Sequence, residues 1–143
     1  MHFYLVCDTL VSMEAAKKLL IVEDDQFLRE FYVELFQGEG YSVDSAADGE
    51  EGFSKIHNGG YDLVLLDIML PKKDGVQILT NLKAQPAIHS NGPIVMLTNI
   101  GQDSTIQACF NLGATGYMIK SALEPDQVLA EVQNYLKPNT LKS

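Results

Sequence analysis

Basic residues are scarce in this sequence: ten Lys and Arg stand against nineteen Asp and Glu, a net charge of −9 over 143 residues. Phosphate contacts need clustered Lys and Arg, so direct nucleic-acid binding is not expected. Cysteine is nearly missing as well. Cys7 and Cys109 make no disulfide framework, which suits a reducing, cytoplasmic setting. No apolar run approaches the roughly 20 residues that a membrane-spanning helix needs. The glycines lack G-x-G-x-x-G spacing, so the dinucleotide fingerprint is absent. His2, His57 and His89 are scattered, which supports neither a histidine metal site nor a Cys-His nucleophile. What remains is 46% hydrophobic and 20% charged, ordinary for a soluble globular chain and sized for one domain.

Short apolar runs organise that domain. The first, Leu19 to Val22, stops at three acids, Glu23, Asp24 and Asp25. Phe27, Leu28, Phe31, Leu35 and Phe36 then recur at helical spacing up to Gly38. Tyr41 to Ala46 predicts a second strand, and Asp48-Gly49 a turn into a helix over Glu50 to His57 with Phe53 and Ile56 inward. Leu63 to Leu66 is unbroken apolar sequence ending at Asp67, the pattern of a strand buried on both faces of a parallel sheet. Pro71 and Asp74-Gly75 supply turn chemistry before a helix over Val76 to Lys83. Pro93 to Leu97 leads to Thr98, and Thr115 to Ile119 to Lys120, with a helix from Ser104 to Leu112 between them. Pro125 opens a last helix with Val128, Leu129, Val132 and Leu136 inward. Five strands alternating with five helices predict an α/β fold with a five-stranded parallel sheet and helices on both faces.

The domain is expected over residues 18–137. Phe3 to Val11 is apolar but lacks the basic segment and cleavage site of a signal peptide. Residues 1–17 therefore predict an N-terminal extension, with Met13 an alternative start, and 138–143 a tail. Cys109 predicts a small core residue.

Polar residues cluster at strand ends: Glu23, Asp24 and Asp25 at the first, Asp67 at the third, Thr98 at the fourth and Lys120 at the fifth. In a parallel sheet these ends share one edge, the edge at which α/β folds bind ligands. Taken singly, Thr98 would read as a β-branched strand residue and Lys120 as a solvated lysine, and a strand-end cap is the competing reading of Asp67. Together they form an oxygen-rich cluster with one cation. Such a cluster suits Mg²⁺, and beside a hydroxyl and an amine it suits phosphoryl transfer to a carboxylate.

Leu-Ile-Val-Glu-Asp-Asp, Leu-Leu-Asp-Ile-Met-Leu-Pro-Lys-Lys-Asp-Gly, Ile-Val-Met-Leu-Thr and Gly-Ala-Thr-Gly-Tyr-Met-Ile-Lys closely resemble the receiver domain of two-component response regulators. The likeness runs from about Lys18 to Lys137. It implies a flavodoxin-like, doubly wound (βα)5 fold and a phosphoacceptor switch served by a histidine kinase or phosphotransfer protein. By position, Asp67 matches the phosphoacceptor. Asp24 and Asp25 match the acidic pair that holds Mg²⁺ with Asp67, and the Met69 backbone carbonyl matches a further ligand. Thr98 matches the switch hydroxyl, Lys120 the lysine that pairs with the phosphoryl group, and Tyr117 the aromatic that turns inward on activation. Glu23 is expected to support the metal ligands.

Two positions depart from the family pattern. Ser121 stands where proline usually follows the lysine, and a trans Lys120–Ser121 bond is expected, since a cis non-proline bond costs about 2.5–4 kcal/mol. Asn99 stands where alanine or glycine usually follows the threonine. With Met69 and Ile100 it is expected to exclude hydrolytic water and lengthen the phosphoryl lifetime. The competing reading, a Mg²⁺-dependent phosphohydrolase with an aspartyl-phosphate intermediate, wants a second aspartate two residues after the nucleophile, where this chain has Met69. A receiver-like binding module that never takes phosphate would not need the acids, Thr98 and Lys120 together. Downstream protein contact is expected through the last two helices and the fifth strand, a face that also suits a homodimer.

Overall fold

The computed structural model describes residues 15–99, 101–120 and 123–137. Among them, strands β1 (Lys18–Val22), β2 (Ser42–Ala46), β3 (Leu63–Asp67), β4 (Ile94–Thr98) and β5 (Gly116–Ile119) form one parallel sheet in the order β2-β1-β3-β4-β5. Helices α1 (Gln26–Gly38), α2 (Gly49–Asn58), α3 (Gly75–Ala84), α4 (Asp103–Asn111) and α5 (Pro125–Leu136) connect and follow the strands. The expected α/β architecture is present, with element boundaries within a residue or two of those read from the sequence.

Strand composition follows from burial on both faces. Leu20, Val22, Val64, Leu66 and Met96 pack with Ile56 of α2, Ile78 and Leu79 of α3 and Cys109 of α4. The alternate residues Leu19, Ile21, Leu63, Leu65, Val95 and Leu97 pack with Tyr32 and Phe36 of α1 and Val128 and Val132 of α5. A period of two thus divides each central strand between two cores, which is why the runs are apolar without a break. At the edge, β2 keeps a mixed pattern, with Ser42 and Asp44 exposed.

The face of α1 differs from its expected stripe. Tyr32 and Phe36 are buried with stacked rings, centroids 6.0 Å apart, and Leu28 and Leu35 pack beside them. Phe27 is 87% exposed and Phe31 is exposed too. Positions 28, 32, 35 and 36 lie on one helical face, whereas 27 and 31 are rotated off it by about 100°. Leu28, Leu35 and Phe36 of the expected stripe pack inward, Phe27 and Phe31 do not, and Tyr32 joins the core.

Aspartates start three of the helices. Asp25 Oδ1 accepts from the Leu28 N–H at 2.9 Å, Asp48 Oδ1 from Glu51 at 2.9 Å, and Asp74 Oδ1 from Gln77 at 2.8 Å. Each satisfies an N–H that the first helical turn leaves without a partner. Pro125 occupies the first turn of α5, as expected. The carboxyl ends of β1, β3, β4 and β5 lie on one edge of the parallel sheet.

Candidate functional site

At that edge Asp67, the last residue of β3, lies beside the ends of β1 and β4, with Val22 paired to Leu66 and Leu97 to Asp67. Its carboxylate is held on both oxygens. Oδ1 accepts the Met69 N–H at 3.1 Å, and Oδ2 accepts Lys120 Nζ at 2.6 Å. Asp67 is only 2% exposed, and the Lys120 side chain that pairs with its Oδ2 is 14% exposed.

Lys120 also lies 2.9 Å from Glu23 Oε1. Glu23 is fully buried. Its Oε2 accepts the Asp25 N–H at 3.1 Å, while Oε1, close to Lys120, has no aligned hydrogen bond. Burial pushes the Glu23 carboxyl up to about 7, against the lowering influence of Lys120 and with the help of the Asp67 charge. Burial works to lower the Lys120 pKa, but its contacts with Asp67 and Glu23 outweigh that and hold it above the ordinary lysine value. Arg29 of α1 donates to the backbone carbonyls of Glu23 at 2.9 Å and Asp24 at 3.3 Å, bracing the acidic loop from below.

Carboxylate oxygens of Glu23, Asp24 and Asp67 lie within 4.8 Å of one another. An all-oxygen donor set of three carboxylates, two of them buried, fits a hard divalent cation. The cluster differs from the expected one by a single position. Asp25 Oδ1 caps α1, and Glu23, expected to support the ligands, is the acid whose carboxylate meets those of Asp24 and Asp67. The helix start decides this: the acid directly before the periodic run becomes the cap, and the two before it face the sheet edge.

Thr98 closes β4 and is 1% exposed. Its hydroxyl donates to Gln102 Oε1 at 2.6 Å, with the Asn99 carbonyl a longer alternative at 3.1 Å. The Asn99 N–H donates to the same Gln102 oxygen at 3.0 Å. Tyr117, in β5, faces outward and meets the edge of Phe110 of α4, ring centroids 6.3 Å apart. The Met69 side chain is exposed. Ile100 and the Lys120–Ser121 bond, the subject of an expectation above, lie outside the described residues, as do Cys7 and the segment read as an extension up to residue 14. Arg29 and Gln102 are the site residues that the sequence did not reveal. Each is an ordinary polar residue at a helix start, and only the fold brings it to the acids or to Thr98.

Two kinds of similarity accompany this geometry. A family model described as response regulator receiver domain matches residues 19–133. Among curated proteins, the transcriptional regulatory protein DltR of Streptococcus agalactiae is 38% identical over 124 residues, covering 87% of this chain and 54% of that protein. The transcriptional regulatory protein ResD of Bacillus subtilis is 31% identical over 120 residues, covering 84% and 48%. The chain thus spans about half the length of these relatives. Among solved structures, a CheY-like response regulator receiver domain protein from Methanospirillum hungatei matches with TM-score 0.74 at 29% identity, covering 85% of this chain and 94% of that one. The CheX-CheY-BeF3-Mg+2 complex from Borrelia burgdorferi matches with TM-score 0.74 at 28% identity, covering 90% and 95%. With its fold, its strand-end residues and these relatives in agreement, the chain belongs to the response regulator receiver domain family.

Proposed function

We propose that this chain is a phosphoacceptor switch whose Asp67 takes a phosphoryl group from a histidine kinase or phosphotransfer protein. The observation that carries the reading is the meeting of Asp67, Lys120 and the Glu23–Asp24 acids at one sheet edge. An Asp67 carboxylate oxygen forms the new bond to phosphorus as the bond from phosphorus to the donor breaks. The electron pair of that bond leaves with the donor group, which is then protonated. Lys120 moves from Oδ2 to the phosphoryl oxygens, and the Thr98 hydroxyl can donate to another of them.

Mg²⁺ is the proposed cation, held by Glu23, Asp24 and Asp67, with the Met69 backbone carbonyl as a further donor. When bound it supplies charge that neutralises phosphoryl oxygens. The Borrelia burgdorferi relative with BeF3 and Mg+2 in its complex supports this choice. An acyl phosphate adds charge and acceptor oxygens to Asp67, favouring the arrangement in which Thr98 and Lys120 reach them. Tyr117 then turns inward, and the face of α4, β5 and α5 changes for a downstream protein or a second copy. Asn99 and Met69 at the mouth of the site are proposed to slow hydrolysis. The cytoplasm is the proposed compartment, and residues 18–137 the switching unit.

The test is incubation of the purified chain with Mg²⁺ and acetyl phosphate, followed by mass spectrometry. A gain of about 80 Da in wild type, lost in Asp67→Asn and without Mg²⁺, is expected for one phosphoryl group. No gain, or a gain that Asp67→Asn retains, overturns the reading. Decay of that mass within seconds would count against the slow hydrolysis.

A further inference from the structure

The Thr98 hydroxyl has one proton to donate, and the shorter of its two contacts is to Gln102 Oε1, with the Asn99 carbonyl at 3.1 Å the other. The Gln102 bond is 2.6 Å long and the threonine is buried, so water does not compete for it. No hydrogen bond joins Thr98 to Asp67 among the described residues, although Asp67 pairs with Leu97, the residue before Thr98. Gln102 Oε1 has two lone pairs, and both are used: one by Thr98, the other by the Asn99 N–H at 3.0 Å. The amide therefore spans the turn from β4 to α4 and grips both the side chain of Thr98 and the backbone of the residue after it. Gln102 is itself the residue that starts α4, and its carbonyl accepts from Ile106 at 2.9 Å. Its position is tied to the helix, not left to a free loop.

We propose that Gln102 is a positioning residue that latches the Thr98 hydroxyl in the resting state and so sets how readily the site accepts a phosphoryl group. This rests on the phosphoacceptor reading above. For Thr98 to donate to a phosphoryl oxygen on Asp67, its proton must leave Gln102. A change of χ1 rotamer accomplishes that without moving the strand. Gln102 and the phosphoryl oxygens thus compete for one proton, and the resting bond subtracts from phosphoryl affinity. Removing a neutral hydrogen bond that opposes binding raises affinity by about 2- to 13-fold. The Asn99 N–H bond to the same oxygen is not part of this competition and remains when Thr98 turns away. A purely structural Gln102 would instead support the loop, and its loss would weaken binding whatever stands at position 98.

The test is a thermodynamic cycle on the full chain, using beryllofluoride with Mg²⁺ as the probe and calorimetry as the readout. Gln102→Ala is expected to bind several-fold more tightly than wild type. Gln102→Glu, whose carboxylate is a stronger acceptor for the hydroxyl, is expected to bind more weakly. In a Thr98→Ala background, Gln102→Ala is expected to change nothing. The Thr98 methyl resonance of the metal-free protein, a rotamer reporter independent of binding, is expected to move in Gln102→Ala toward its beryllofluoride-bound position. If Gln102→Ala binds as wild type does, or more weakly, or if its effect persists without Thr98, the latch is refuted while the phosphoacceptor reading stands. If wild type itself binds no beryllofluoride, both fall together.

Discussion

The ammonium of Lys120 lies 2.6 Å from Oδ2 of Asp67, and neither side chain is more than 14% exposed. The same ammonium reaches Glu23 at 2.9 Å, so one buried cation holds two buried carboxylates together. Replacing it in Lys120→Met leaves those acids facing each other without a counter-charge. The metal-free variant is expected to lose about 3–5 kcal/mol, the usual cost of removing one partner from a buried pair. Mg²⁺ should then recover more stability in the variant than in wild type, because it replaces the lost charge. Urea midpoints with and without Mg²⁺ measure both effects, and equal midpoints for the two proteins would show that Lys120 does not hold the acids.

The three consecutive acids are expected to separate by role. Glu23→Gln and Asp24→Asn are each expected to weaken Mg²⁺ binding about 10-fold or more, since each removes an anionic oxygen from a hard-cation site. Asp25→Asn should leave affinity near wild type, because asparagine caps a helix as well as aspartate does. Asp25→Ala should cost about 0.5–2 kcal/mol of stability through the lost cap, again with little change in affinity. Calorimetric titration with Mg²⁺ compares the set. A drop in Asp25→Asn equal to that in Asp24→Asn would return the metal site to the Asp24–Asp25 pair expected from the sequence.

That one-position difference shows where sequence reading reaches its limit here. The fold was legible because the runs of β1, β3 and β4 are apolar on both faces, as only a doubly covered parallel sheet requires. The meeting of Asp67 and Lys120 was legible because strand ends share an edge. Which of Glu23, Asp24 and Asp25 caps α1 was not, since all three can accept from a helix N-terminus and the choice depends on where the first turn begins. The Gln102 bond was hidden for a similar reason: a glutamine four residues after a threonine carries no signal until the turn between them closes.

Glu23 makes stability depend on pH. Its folded pKa, about 7, stands above the ordinary carboxyl value, so the folded protein binds a proton that the unfolded chain has released. That contribution is full below the ordinary glutamate range near pH 4.5 and is lost as pH rises through about 7. Metal-free wild type is therefore expected to lose stability between pH 5 and 8 relative to Glu23→Gln, which cannot titrate there. Mg²⁺ competes with the same proton, so its affinity should rise over this window and level off above it. Thermal melts and Mg²⁺ titrations across the range test both signs; a difference between the two proteins that stays constant from pH 5 to 8 contradicts the assignment.

Gly49, the first residue of α2, supports the site from a distance. Its N–H donates to the Pro71 carbonyl at 3.1 Å, and a Cβ there would stand 1.5 Å from the Lys73 carbonyl oxygen. The obstacle is backbone, which cannot swing aside as a side chain would. Gly49→Ala must therefore push the segment between Asp67 and Asp74 away from α2, at a cost of about 1–3 kcal/mol. That segment carries the Met69 N–H, which donates to Asp67 Oδ1, so Mg²⁺ affinity should fall along with stability. Gly38→Ala is the control. It lies at the end of α1 with open space where the new methyl would go, and alanine there should be neutral or favourable by up to about 1 kcal/mol. Thermal melts are expected to place Gly38→Ala at or above wild type and Gly49→Ala below it. Equal stability for the two variants would mean that the loop yields freely, and that close packing against α2 does not position the carboxylate at the end of β3.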